Sequence, residues 1–64
     1  MKNNLKKLRE SKGLSQEKLG DNLGVSRQTI NSIENGKFDP SLTLAIKLTK
    51  FFDKPIDSIF ELEN

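Results

Sequence analysis

Apolar residues recur along this chain at three- and four-residue steps rather than in alternation, so the pattern predicts helices joined by short breaks. Leu5 and Leu8, spaced i, i+3 among good helix formers, mark a first helix over about residues 3–12, and Gly13 stands where a helix C-terminal glycine belongs. Ser15 is a preferred N-cap with Glu17 in the turn that follows, where the helix dipole favours an anion. Leu19 and Leu23 then give a second helix, 16–23, one buried stripe, and Leu14 is placed to pack near Leu19 or the Lys18 stem. Gly20 breaks the rule. A mid-helix Gly costs about 1 kcal/mol relative to Ala, so a helix that keeps one is expected to be approached closely by another backbone.

Gly24 ends the second helix and Ser26 caps a third after a very short connection, with Val25 pointing inward. Two helices joined this tightly must cross steeply. In the third helix Ile30 and Ile33 face the core, while Arg27, Gln28, Asn31 and Ser32 fall together on the opposite face. Asn35-Gly36 terminates it, and Phe38 is expected to fold back on the core. Ser41, or Asp39 ahead of Pro40 at the first helical position, starts a fourth helix in which Leu42, Ala45, Leu48 and Phe52 recur, widened by Leu44, Ile46 and Phe51. Pro55, read as the first helical residue, opens a short fifth helix with Ile56, Ile59, Phe60 and Leu62 as its apolar residues. No linker or repeat intervenes, so the expected architecture is all-α with five helices in one domain over 1–64, the helix-turn-helix at 16–35.

Length and composition narrow what this domain can do. At 64 residues it has a marginal core, since a chain this short buries only about 60% of its unfolded surface. There is no Cys and no His, which removes disulfides, thiolate zinc sites and the usual transition-metal ligands, so neither a metal nor a cofactor is expected. Stability must come from helix packing or a partner subunit. No apolar run approaches the roughly 20 residues of a membrane span, and Met1 to Arg9 lacks the apolar core of a secretory signal, so a cytoplasmic protein without a membrane partner is expected. The net charge of +2 is unevenly spread: residues 1–37 hold eight Lys/Arg against four Asp/Glu, a net of +4, and residues 38–64 hold three against five, a net of −2. The basic half contains the steeply crossing helix pair, which favours a polyanionic partner.

A DNA reader needs a helix that fits the major groove and offers donors and acceptors to base edges. The third helix has them. Arg27 offers a planar fork suited to guanine O6 and N7, Gln28 an amide suited to adenine N6 and N7, and Thr29 a methyl for thymine, with Asn31 and Ser32 one turn further on. A merely solvated face would carry Glu and Lys rather than this amide-rich set. Phosphate contacts are expected from Gln16, at a helix N-terminus, and from Ser26, Asn35 and Lys37, which flank the third helix and also have ordinary capping and turn roles. No nucleophile–base pair and no Gly-rich phosphate loop suggests an enzyme.

The stretch from Gly13 to Pro40, GLSQEKLGDNLGVSRQTINSIENGKFDP, closely resembles the Cro/CI-type (XRE) helix-turn-helix family of prokaryotic and phage regulators. The resemblance rests on Leu14-Ser15-Gln16, Gly20, Gly24-Val25-Ser26, Gln28-Thr29-Ile30 and Ile33-Glu34-Asn35-Gly36, and it continues through Pro40-Ser41-Leu42 and the fifth helix. Small cytolysin-repressor-like members look nearest. The resemblance implies phosphate binding at Gln16, an Arg9–Glu34 ion pair serving as scaffold, and readout from the exposed residues of the third helix. It also implies a small β-ribbon between residues 1–4 and 60–63. Gly20 stands where the family more often has Ala, a departure expected to loosen the second helix.

Family resemblance and the apolar C-terminal end both point to a homodimer. Phe51, Phe52, Ile56, Ile59, Phe60 and Leu62, within a dimerisation end at 51–62, are more apolar surface than two terminal helices are expected to hide in one monomer. The function expected is sequence-specific binding of double-stranded DNA, as a repressor occupying a palindromic operator, with no small-molecule effector evident. A protein-binding module, such as an antitoxin or accessory partner, is the alternative.

Overall fold

The computed structural model describes residues 1–63; Asn64, the last position of the expected domain, lies outside the described residues. The elements run β1 (Lys2–Asn3), α1 (Leu5–Ser11), α2 (Gln16–Leu23), α3 (Arg27–Glu34), α4 (Leu42–Phe52), α5 (Ile56–Ile59) and β2 (Phe60–Glu61). Three serines set the helix starts. Ser15, Ser26 and Ser41 each accept a hydrogen bond at their side-chain oxygen from the backbone N–H three residues on, at 3.0, 3.1 and 3.1 Å. Each cap satisfies a donor that the helix itself cannot, typically worth about 1 kcal/mol. At the far end of α2, Gly24 turns the chain left-handed at φ 76°, a conformation that Gly adopts without a Cβ penalty.

Gly20 lies where α2 meets the turn. A Cβ there would sit 2.5 Å from the Val25 carbonyl oxygen and 3.3 Å from the Ser26 backbone. The Val25 N–H donates back to the Gly20 carbonyl at 2.9 Å, so the turn is held against α2 at this point. Gly therefore trades helix propensity for a tight seat of α3 on α2, and a Cβ at this position would force the turn backbone to shift.

The core is built from Leu5, Leu19, Leu23, Ile30, Ile33, Leu44, Leu48, Phe52, Ile59 and Phe60, with Leu8, Leu14, Val25 and Phe51 packed at its margin. In α4 the buried stripe is Leu44, Leu48 and Phe52, whereas Leu42 is 78% exposed. Leu42 stands two residues before Leu44, about 200° around the helix, so it cannot share that stripe, and the expected Leu42–Ala45–Leu48–Phe52 series is corrected at its first member. Pro55 is the N-cap of α5 rather than its first helical residue. Leu62 lies beyond β2 rather than in α5.

The ribbon explains the other departure. β1 and β2 pair antiparallel, with Lys2 opposite Glu61 and Asn3 opposite Phe60, and the Asn4 N–H donates to the Ile59 carbonyl at 2.8 Å. This pairing folds the C-terminal end over the N-terminal one, and Ile59 and Phe60 are core residues, 0% and 7% exposed, as is Phe52 in the α4 stripe at 6%. The expectation that they form a surplus apolar surface is therefore corrected. Ile56 and Leu62 remain exposed, and Phe51 is half-buried with its ring edge-on to Phe52 at a 5.0 Å centroid separation. The Asn3 side chain bridges ribbon and helices: its oxygen accepts from the Leu5 N–H at 3.1 Å and its amide donates to the Ile33 carbonyl at 2.8 Å. Among the described residues no helix is long and apolar enough to cross a membrane.

Gly20→Val is expected to destabilise the protein by about 2–3 kcal/mol, in the range of overpacked sites, because the clash is with backbone that cannot rotate away. Urea unfolding monitored by helical circular dichroism measures it.

Candidate nucleic-acid interface

The α2–α3 pair turns one face of α3 inward, where Ile30 and Ile33 are 0% and 1% exposed. Arg27, Gln28 and Asn31 on its other side are exposed, and Thr29 and Ser32 at the edges are half-buried. Ser26, Asn35 and Lys37, which flank the helix, are exposed, and Gln16 is half-buried. All nine residues singled out for base or phosphate contact thus border one polar surface. Arg27 and Lys37 carry its positive charge.

Beneath this surface runs a connected polar network. Arg9 in α1 donates from Nε to Glu34 Oε2 at 2.6 Å, from Nη2 to Glu34 Oε1 at 3.3 Å and from Nη1 to the Leu14 carbonyl at 2.7 Å. The pair is buried, with side-chain exposures of 10% and 3%. The Glu34 carboxylate, which accepts the Nε and Nη2 bonds, holds the Arg9 guanidinium above its usual pKa against the opposing effect of burial. Gln16 Nε2 donates both to Glu34 Oε1 at 3.0 Å and to Asn31 Oδ1 at 3.1 Å. Asn31 Oδ1 also accepts from Asn35 Nδ2 at 3.4 Å.

Two consequences follow for recognition. Glu34 is the one carboxylate of α3, and its pairing with Arg9 removes from the helix the only charge that would repel phosphate. The acceptor of Asn31 is engaged inside the protein, so the hydrogen-bonding capacity it presents outward is that of its amide N–H groups. At the N-terminus of α3, Ser26 Oγ and Thr29 Oγ1 lie 2.9 Å apart, so the Thr29 hydroxyl is tied into the cap.

The sequence pattern missed one residue here. Expected in the core, Phe38 is instead 50% exposed and lines a cleft beside α3 together with Ser26, Gln28, Thr29, Ser32 and Lys37. The reason is the Gly36 turn at φ 73°: the Gly36 N–H donates to the Ile33 carbonyl at 3.0 Å and the Lys37 N–H to the Ser32 carbonyl at 2.9 Å, which holds the chain alongside α3.

A helix-turn-helix family profile matches residues 5–59. Over 64 residues the chain is 56% identical to an uncharacterized HTH-type transcriptional regulator of Methanocaldococcus jannaschii, covering 100% of this chain and 97% of that protein. It is 51% identical to an uncharacterized HTH-type transcriptional regulator of Bacillus subtilis, covering 98% and 96%. An SPbeta prophage-derived uncharacterized HTH-type transcriptional regulator of Bacillus subtilis is 39% identical, over 89% of this chain and 53% of that protein. With a profile spanning most of its length and relatives of its own size, the chain belongs to the XRE-type helix-turn-helix family of transcriptional regulators.

Glu34→Ala strands the buried Arg9 guanidinium and is expected to cost about 3–5 kcal/mol. The double change Arg9→Met with Glu34→Leu is expected to recover most of that loss, since no unpaired charge remains buried. Comparing urea midpoints of the two variants measures both.

Proposed function

We propose that the protein binds double-stranded DNA sequence-specifically by laying α3 in the major groove, as a homodimer on a palindromic operator, and represses transcription by occupying a promoter. The observation that carries this reading is the outward face of α3, which combines Arg27, Gln28 and Asn31 with no free carboxylate because Glu34 is buried against Arg9. Relatives named as HTH-type transcriptional regulators support it. In this reading Arg27 pairs with guanine, Gln28 with adenine, and Thr29, Asn31 and Ser32 complete the contacts to the bases. Lys37, Ser26, Asn35 and the N-terminus of α2 at Gln16 meet phosphates. Both amide donors of Gln16 are directed to Asn31 and Glu34, so its phosphate contact falls to the backbone N–H.

The dimer is proposed through the C-terminal end, where Ile56 is 48% and Leu62 75% exposed. An isologous contact there gives two α3 helices separated by about one DNA turn, roughly 34 Å.

Affinity for a random duplex is expected to fall linearly with salt on logarithmic axes, and no binding at low salt would overturn the reading. Within it, Lys37→Ala should weaken every sequence alike and reduce the salt slope by about one. Gln28→Ala should instead relax preference at one base per half-site, and equal sequence-independent losses from both would contradict these roles. Replacing Ile56 and Leu62 together by Glu should shift sedimentation from dimer to monomer without lowering the unfolding temperature of the monomer, because both side chains are exposed. A wild-type protein already monomeric while bound to its operator would refute the dimer.

A further inference from the structure

The protein has four Phe residues, of which Phe52 and Phe60 lie in the core, Phe51 packs against it and Phe38 alone is half exposed. Phe38 forms one wall of a cleft of about 370 Å³ whose other walls are Ser26, Gln28, Thr29 and Ser32 of the α3 region and Lys37. The Ser26 and Thr29 hydroxyls, bonded to each other in the helix cap, the Ser32 hydroxyl and an ammonium group therefore border one aromatic ring, and among the described residues no carboxylate lines the space. The ring is presented by an anchored segment, since the Lys37 N–H is bonded to the Ser32 carbonyl.

We infer that the Phe38 ring lies against a deoxyribose of one strand of the bound half-site, at the edge of this cleft where Lys37 and Ser26 meet the adjoining phosphates, while Gln28, Thr29 and Ser32 on its other side stay turned to the bases. The inference rests on the DNA-binding reading above and adds an apolar contact to it. Hydroxyl and ammonium groups are the usual donors to phosphate oxygens, whereas the C–H surface of a deoxyribose has no use for them and matches an aromatic face. Alternating sugar and phosphate along a strand supplies both chemistries at neighbouring positions. The cleft is also continuous with the face that carries Gln28, so a strand bordering the groove read by α3 passes beside it. A contact of this kind adds affinity without choosing a base.

Binding of wild-type protein and Phe38→Ala to two duplexes, one containing only G·C pairs and one only A·T pairs, tests this at fixed low salt by fluorescence anisotropy. Removal of a half-exposed ring is expected to weaken binding about fivefold, equally on both duplexes, with Phe38→Leu retaining most of the affinity and the unfolding temperature and sedimentation of Phe38→Ala unchanged. Equal affinity of wild type and Phe38→Ala overturns the inference while leaving DNA binding intact. A loss confined to the A·T duplex overturns it too, because the ring would then be touching a thymine methyl. A wild-type protein that binds neither duplex overturns both this inference and the reading beneath it.

Discussion

A buried ion pair between the last residue of α3 and the body of α1 governs how this small fold presents its polar helix. Arg9, in the helix before the helix-turn-helix, and Glu34, at the end of its second helix, are brought together at 2.6 Å and almost wholly out of solvent. Taking two charges out of water is costly, and the cost is met only where the remaining donors are satisfied; here Arg9 also bonds the Leu14 carbonyl and Glu34 also accepts from Gln16. The pair holds three elements in one arrangement: α1, the start of α2 and the end of α3. It also neutralises the one carboxylate of α3, so the same contact that braces the scaffold makes the helix electrostatically acceptable to a polyanion.

The crossing of α2 and α3 depends on a second constraint, the absence of a side chain at Gly20. Its backbone is close enough to the Val25 carbonyl that even a Cβ would meet it at 2.5 Å. A protein of this size has few apolar side chains with which to define an interhelical angle, and direct backbone contact defines it with none. Leu19, Leu23, Ile30 and Ile33 then fill the space beneath. The ribbon of β1 and β2 closes the other end and, through Asn3, is hydrogen-bonded to the end of α3. The polar face is thus supported from both termini of its helix.

Much of this was legible in the residues because it is decided locally. The serine caps at 15, 26 and 41, the left-handed Gly24 and the facing positions Ile30 and Ile33 follow from rules that act within one turn of helix. What was not legible depends on contacts between distant segments. Phe60 reads as part of a helix until it pairs with Asn3, and the neighbouring Ile59 is tied to Asn4 by the same closure. Leu42, which periodicity assigns inward, and Phe38, expected to fold back on the core after the helix ends, are left outside by the actual rotation of α4 and by the Gly36 turn. Within the candidate site the residue types on α3 were visible, whereas the engagement of Asn31 by Gln16 was not, since it needs the position of one helix end relative to another.

Selection of bound sequences from a pool of random duplexes tests most directly whether α3, held in this way, reads DNA as a symmetric pair. Two α3 helices related by a two-fold axis should enrich inverted half-sites whose centres are about 10 base pairs apart. A pool that emerges without a shared sequence, or with a single unrepeated half-site, would contradict it.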